Sequence, residues 1–237
     1  MIFIKNKLYI ALLLSFALPL GGIGFSTIQN IISNDIIETD ENLELEFESK
    51  GLENGLNLFI YFDALPKDLA IEYNREIKWQ SGDIKLALED AEMESLPSEI
   101  NEKFLAIRKS DYLTIRKDLA GFAIPILAKA KFYIGGGINQ HQTVNPSIQL
   151  LKTLYNVAEN NLDMYVAANQ NWNNSSLLEL LNEQPIKSNG LHMQTGFQGK
   201  VLMLNAFINA RYTFILKDER SSIKSFPSLT VGVAYGF

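Results

Sequence analysis

Apolar and polar residues alternate one by one along the end of the chain. Leu229, Val231, Val233, Tyr235 and Phe237 fall on one face, and Ser228, Thr230, Gly232, Ala234 and Gly236 fall on the other. A strand turns successive side chains to opposite sides, so the spacing predicts a strand with one large apolar face and one small, weakly polar face. Residues 190–216 predict a hairpin by the same reading. Leu191, Met193, Thr195 and Phe197 oppose His192, Gln194, Gly196 and Gln198, and Gly199-Lys200 offers a tight turn. The second arm sets Leu202, Leu204, Ala206, Ile208, Ala210, Tyr212 and Phe214 against Asn205, Asn209, Arg211 and Thr213, with Met203 and Phe207 interrupting the polar side. Such an arm exceeds the soluble norm of about 5–6 residues and suits a tilted membrane strand of about 9–11. Lys217 to Ser225 reads as a polar loop.

Upstream, residues 130–142 alternate Phe132, Ile134, Gly136 and Ile138 with Tyr133, Gly135, Gly137 and Asn139. The glycine run lacks the Gly-Lys-Ser/Thr ending of a phosphate-binding loop and reads as close packing or a bend within a strand. A strand over roughly 113–124 ends at Pro125, with a turn or corner at 126–129. Leu43, Leu45 and Phe47 alternate with Glu44, Glu46 and Glu48. Leu56–Phe62 and Leu69–Trp79 follow as strands, separated by a turn at Pro66, Lys67 and Asp68. Ile84, Leu86 and Leu88 suit a strand, while Ile84, Ala87, Leu88 and Ala91 suit a helix equally well. The acidic stretch 90–102, with Pro97, reads as an exposed loop. Residues 143–189 break the alternation. Asn145-Pro146 opens a helical pattern of Ile148, Leu151, Leu154, Tyr155 and Ala158. Ser176 and Glu179 have capping-box spacing ahead of Leu180, Leu181 and a stop at Pro185. A helical insertion near residues 145–185 is therefore expected.

The other end of the chain looks like an export signal. Lys5 and Lys7 precede an apolar run from Leu8 to Leu20, followed by Gly21, Gly22, Gly24 and Ser26. This is the layout of a cleaved leader, with the cut after Gly24 or Ser26, leaving residues 25–237 as one domain. The dense run is shorter than the about 20 residues a helical anchor needs. Cys is absent, which rules out a lipoprotein anchor and disulfides. The net charge of −6 becomes −8 once Lys5 and Lys7 leave, which argues against a nucleic-acid partner. No second apolar run reaches transmembrane-helix length, and a mean hydropathy of +0.01 is what alternating faces average to.

Strict alternation back from a terminal Phe237, joined to an export leader, resembles the bacterial outer-membrane β-barrel proteins. The resemblance implies an all-β, antiparallel transmembrane barrel of about eight strands, ten if every N-terminal segment pairs. It implies a porin-like place in the outer membrane of a Gram-negative-type bacterium, surrounded by outer-membrane lipid. It implies that the barrel-assembly machinery reads Val231, Val233, Tyr235 and Phe237. It places His192, Gln194, Asn205, Asn209 and Arg211 in a polar lumen. The 145–185 insertion would be extracellular, because periplasmic turns are short, and would cap the mouth or meet an extracellular ligand. An eight-stranded barrel is just filled by its own side chains. The leading expectation is thus a structural, adhesion or surface-binding role. The alternatives are a narrow channel or transporter for a small hydrophobic molecule, and a soluble periplasmic barrel binding an apolar ligand.

Candidate chemistry is sparse. The only histidines are His141 and His192, and neither has a recognisable nucleophile beside it in sequence. Both read as interior or rim groups, hydrogen-bonded to neighbours such as Gln194. The acidic face Glu44, Glu46, Glu48 and the run Glu89, Asp90, Glu92, Glu94 have the hard oxygens that attract cations. They read as solvated faces or as partners of lumen residues such as Arg211. No enzymatic activity, cofactor or metal site is expected.

Overall fold

The alternation runs through the chain as eight strands. The structure, a computed structural model, describes residues 21–40, 43–88, 99–124, 128–144, 186–218 and 223–236. The strands are β1 (Gly21–Asp40), β2 (Leu43–Leu65), β3 (Leu69–Leu88), β4 (Glu99–Ile124), β5 (Ala128–Val144), β6 (Ile186–Val201), β7 (Leu204–Asp218) and β8 (Ser225–Gly236). Each pairs antiparallel with the next, and β8 returns to β1 through pairs from Gly22↔Gly236 to Asn30↔Ser228. Where all eight strands pair, closure leaves no sheet edge, so the ladders there satisfy the backbone without water.

Both ends of the barrel wall, at Gly21 and Gly236, lie on the side of the short connections. These are a 3-10 turn at Pro66–Asp68, residues 125–127, and Leu202–Met203. Among the described residues that turn is the only helical element. The expected helical insertion at 145–185, the acidic run at 89–94 and Phe237 lie outside the described residues.

Several expectations need correction. β1 was not foreseen, and its Gly21–Gly24 pair with β2 at Phe62–Phe59. β4 starts at Glu99, so residues 99–102 are strand rather than loop, and residues 84–88 are strand rather than helix. The β6–β7 turn is at Leu202–Met203, because Gly199 and Lys200 remain in the ladder opposite Ala206 and Asn205. Val201↔Leu204 closes it, with Leu202 at φ 55. The two-residue loop sets the twist here at a modest conformational cost to a leucine.

The wall is lopsided. β1–β4 have 20, 23, 20 and 26 residues, while β5–β8 have 17, 16, 15 and 12. At roughly 3.3 Å per residue, β4 is about 85 Å long and β8 about 40 Å. Among the described residues, β4 N-terminal to Ile107 pairs only with β3, and β1 beyond Asn30 pairs only with β2. The first four strands thus continue past the other four on the long-loop side.

Polarity reverses along these tall strands without a change of phase. In the lower part of β2, Leu56, Leu58, Ile60 and Phe62 point outward and are 42–49% exposed, while Glu53 and Asn57 point inward and are buried. In the upper part, Glu44, Glu46, Glu48 and Lys50 point outward, while Leu45 and Phe47 are wholly buried. β3 repeats the change, from outward Ile71 and Ile77 to outward Asp83 and Lys85. Ile84 and Phe104 join the inner face, and Phe104 meets the Phe47 ring edge-on at 6.1 Å. The acidic face expected at Glu44–Glu48 is therefore outside and above the barrel, so it cannot serve the lumen. A hydrogen bond from Lys50, reinforced by its charge, holds the Glu48 carboxyl below the usual carboxylate range.

Candidate functional site

The lumen is the chemically dense part of the molecule. Inward residues of β2, β3 and β4 bring carboxylates and cations together because every second position of a barrel strand faces the same interior. In β3 this set is Glu72, Asn74, Glu76, Lys78 and Gln80, all buried. Charges in such a place persist only when paired and hydrogen-bonded.

Near the short-turn end, Arg116 bridges Glu72 at 2.7 Å and Asp63 at 2.8 Å. Lys131 reaches the other oxygen of Asp63 at 2.8 Å and Asp118 at 3.2 Å. The Arg116 guanidinium lies 4.6 Å from the Tyr133 ring centroid. Beside this layer, Phe59, Tyr61, Phe207 and Ala234 form an apolar plug. Phe207, which interrupts the polar side of β7 in sequence, is thus a plug residue. At mid-height, Glu76 takes Lys78 at 2.8 Å and Arg211 at 2.6 Å. Arg211 also lies 3.9 Å from the Tyr112 ring centroid. Higher still, Glu53 pairs with Arg108 and accepts a hydrogen bond from Asn30. Ile32, Ile223 and Phe226 close the lumen above as a second apolar cluster. Ion pairs and two apolar clusters thus line the bore.

The five polar residues singled out on β6 and β7 point to the inner face. His192, Gln194, Asn205, Asn209 and Arg211 are each no more than 6% exposed. Asn209 accepts a hydrogen bond from the Tyr133 hydroxyl, and Gln198 donates to Asn205 at 2.9 Å. The Arg211 partner is Glu76, not the Glu44–Glu48 face. Of the C-terminal set, Val231, Val233 and Tyr235 point outward and are 50–64% exposed. Sequence reasoning missed Glu53, Glu72, Glu76, Lys78, Arg108, Arg116 and Lys131. For β3 the signal was present, since Glu72, Glu76 and Lys78 share one parity against Ile71, Tyr73, Ile77 and Trp79.

Both histidines sit beside hydroxyls. His141 Nδ1 is 2.7 Å from Ser110 Oγ, and His192 Nε2 is 2.8 Å from Thr114 Oγ1. Neither pair was visible in sequence, because β4 supplies the hydroxyls and β5 or β6 the rings. A hydroxyl beside an imidazole is the minimum for nucleophilic catalysis. Here Ser110, Thr114, His141 and His192 are all at most 2% exposed, and the Tyr112 ring lies edge-on to both imidazoles. Among the described residues no cluster of His, Asp or Glu has the arrangement of a metal centre.

The outward face of the lower barrel is largely apolar, with scattered polar residues such as Thr27, Gln29, Lys117 and Gln140 and one ion-paired group. Arg75 and Asp111 pair at 2.8 Å across β3 and β4, and the Tyr73 hydroxyl donates to the same carboxylate oxygen at 2.6 Å. Tyr212 and Phe214 lie together at the upper margin of this face on β7, their centroids 4.9 Å apart.

No protein-family model matches the chain, and no curated protein matches it in sequence. Solved structures do match in shape. The attachment invasion locus protein Ail of Yersinia pestis, in complex with the heparin analogue sucrose octasulfate, aligns over 92% of this chain and 97% of its own at 11% identity, with a TM-score of 0.40. Neisserial surface protein A aligns over 91% and 97% at 12% identity, with a TM-score of 0.43. The N-terminal β-barrel domain of Pseudomonas aeruginosa OprF aligns over 91% and 99% at 10% identity, with a TM-score of 0.32. The chain is an eight-stranded antiparallel barrel closed on itself, and these solved structures that it resembles are small outer-membrane barrels.

Proposed function

We propose that this chain spans a bacterial outer membrane as a small non-enzymatic barrel, with a filled lumen and a tall extracellular wall in a structural, adhesive or surface-binding role. The observation that carries this reading is the polarity reversal along β2 and β3. A strand that is apolar outside and charged inside suits lipid, and one that is charged outside and apolar inside suits water. Both arrangements in one strand, in phase, match a wall that leaves the bilayer partway along its length. An apolar girdle of this extent far exceeds the few hundred Å² that soluble monomers tolerate. The paired charges and the two apolar plugs favour a closed bore over a channel. Cysteine introduced at Leu204 or Ile208 should react with a lipid-soluble maleimide and resist a charged one in intact membranes. Free reaction with the charged reagent would place this face in water and move the soluble-barrel reading to first place.

The outward Val231, Val233 and Tyr235, completed by Phe237, serve in this reading as the signal for the barrel-assembly machinery. Deleting Phe237 should sharply lower the amount of heat-modifiable, folded barrel in outer-membrane fractions. Assembly at the wild-type level would remove that role.

A further inference from the structure

We propose that an outward raft of polar side chains on β3–β6, centred on Lys109 and Lys187, holds the phosphate of an anionic lipid headgroup, a site that rests on the membrane reading above. The argument begins with register. Residues paired across the strands form rows on the outer face, and successive outward rows lie two residues apart along each strand. One row is apolar, with Leu113, Ile138 and Leu191 paired in line and all exposed. The next row towards the long loops joins Arg75, Asp111 and Gln140. The row after that joins Lys109, Gln142 and Lys187. One step further, Trp79 pairs with Ile107, and the face is apolar again. Two polar rows thus sit directly on the upper margin of the apolar girdle.

The raft is positive on a chain whose net charge is −6. It holds the cations Arg75, Lys109 and Lys187 and one carboxylate, Asp111. Asp111 bonds Arg75 at 2.8 Å and lies within electrostatic reach of Lys109. Two positive charges therefore remain in excess within these rows. Lys109 and Lys187 flank Gln142, one strand to each side, so their backbones are about 10 Å apart. Two flexible ammonium groups with an amide donor between them can close on one tetrahedral oxyanion. Lysine stems lie along apolar surface while their heads stay in a polar layer, which suits a site beside the Leu113 row. Position selects the source of the phosphate. In the membrane reading the Leu113 row meets lipid tails, and Trp79 stands where interfacial aromatics do. A phosphate held between these two levels belongs to the headgroup layer.

The test uses the full-length barrel folded into vesicles of phosphatidylcholine, alone or with a minor fraction of phosphatidic acid. Phosphatidic acid should raise the unfolding temperature. Native mass spectrometry after gentle detergent extraction should find one molecule of it retained on the barrel. Lys109→Gln combined with Lys187→Gln changes two outward side chains and should fold. Its apparent affinity for phosphatidic acid should fall roughly thirtyfold, the effect of two basic residues at an anionic surface. If that variant does not fold, Lys187→Gln alone should show a loss of about fivefold. Lys50→Gln combined with Lys85→Gln removes the same charge from the outer wall above and should bind as the wild type does. Equal unfolding with and without phosphatidic acid, no retained lipid, or equal losses in the two double variants would overturn the proposal. Stabilisation by inorganic phosphate or heparin in plain phosphatidylcholine, with phosphatidic acid silent, would also overturn it in favour of a soluble anion. A Leu204 cysteine shielded from the charged maleimide, with no lipid retained, would remove the headgroup site and leave the membrane reading standing.

Discussion

Arg116→Met should lower the stability of the folded barrel by about 3–5 kcal/mol, the cost of stranding buried partners of a removed charge. Arg116 connects Glu72 to Asp63, and its loss leaves Glu72 hydrogen-bonded to the neutral donors Asn74 and Gln194. Equilibrium unfolding in urea, followed by the mobility shift of the folded band, measures the loss. Adding Glu72→Gln should recover a substantial part of it, because the stranded charge goes too. Lys85→Met breaks an exposed pair to Glu46 and should change stability by no more than about 1 kcal/mol. Equal effects of Arg116→Met and Lys85→Met would mean that the bore is as wet as the surface, and the closed-lumen reading would fail.

Ile208→Arg tests the medium outside the wall. Ile208 is 53% exposed on the outward face of β7, so in water an arginine there would be nearly neutral. In a bilayer it should cost about 2–4 kcal/mol near the midplane. Ile37, 69% exposed on the part of β1 that rises above β8, supplies the contrast. Ile37→Arg should leave folding in lipid vesicles within about 0.5 kcal/mol of wild type, as most surface substitutions do. A depth-dependent difference between two outward isoleucines has no source in a soluble barrel, and its absence would dismiss the membrane.

The strands that were legible in the sequence are those whose two faces differ in kind. On β5, β6 and β8 large apolar residues alternate with small or polar ones, and the strand positions were readable to within a few residues. β1 was hidden because Ile28 and Ile32 point inward while Ile31 points outward, so no face reads as polar, and because its glycines follow the leader directly. The upper part of β4 was hidden for a related reason. Phe104, Ala106 and Ile107 are buried together, which erases the period of two. Of the lumen network, individual members could be read by parity but their partners could not. Arg211 and Glu76 are 135 residues apart, and only the closed register brings them within 2.6 Å.

The paired lumen and the apolar girdle also place unequal constraints on how such a sequence can diverge. On the girdle, under the proposed membrane reading, Leu, Ile, Val, Phe and Met would serve nearly alike, since lipid asks for hydropathy and imposes no fixed shape. Inside, Arg116 is tied to Glu72 and Asp63, and Arg211 to Glu76, so a lone change is penalised and a compensated exchange is not. Half of each strand therefore drifts among apolar residues while the other half changes in linked pairs. Descendants of one ancestral barrel would lose residue identity quickly and still keep parity, register and charge balance. Kinship in this chain is written in the alternation and in matched opposite charges across the bore, and it is there that distant relatives should be sought.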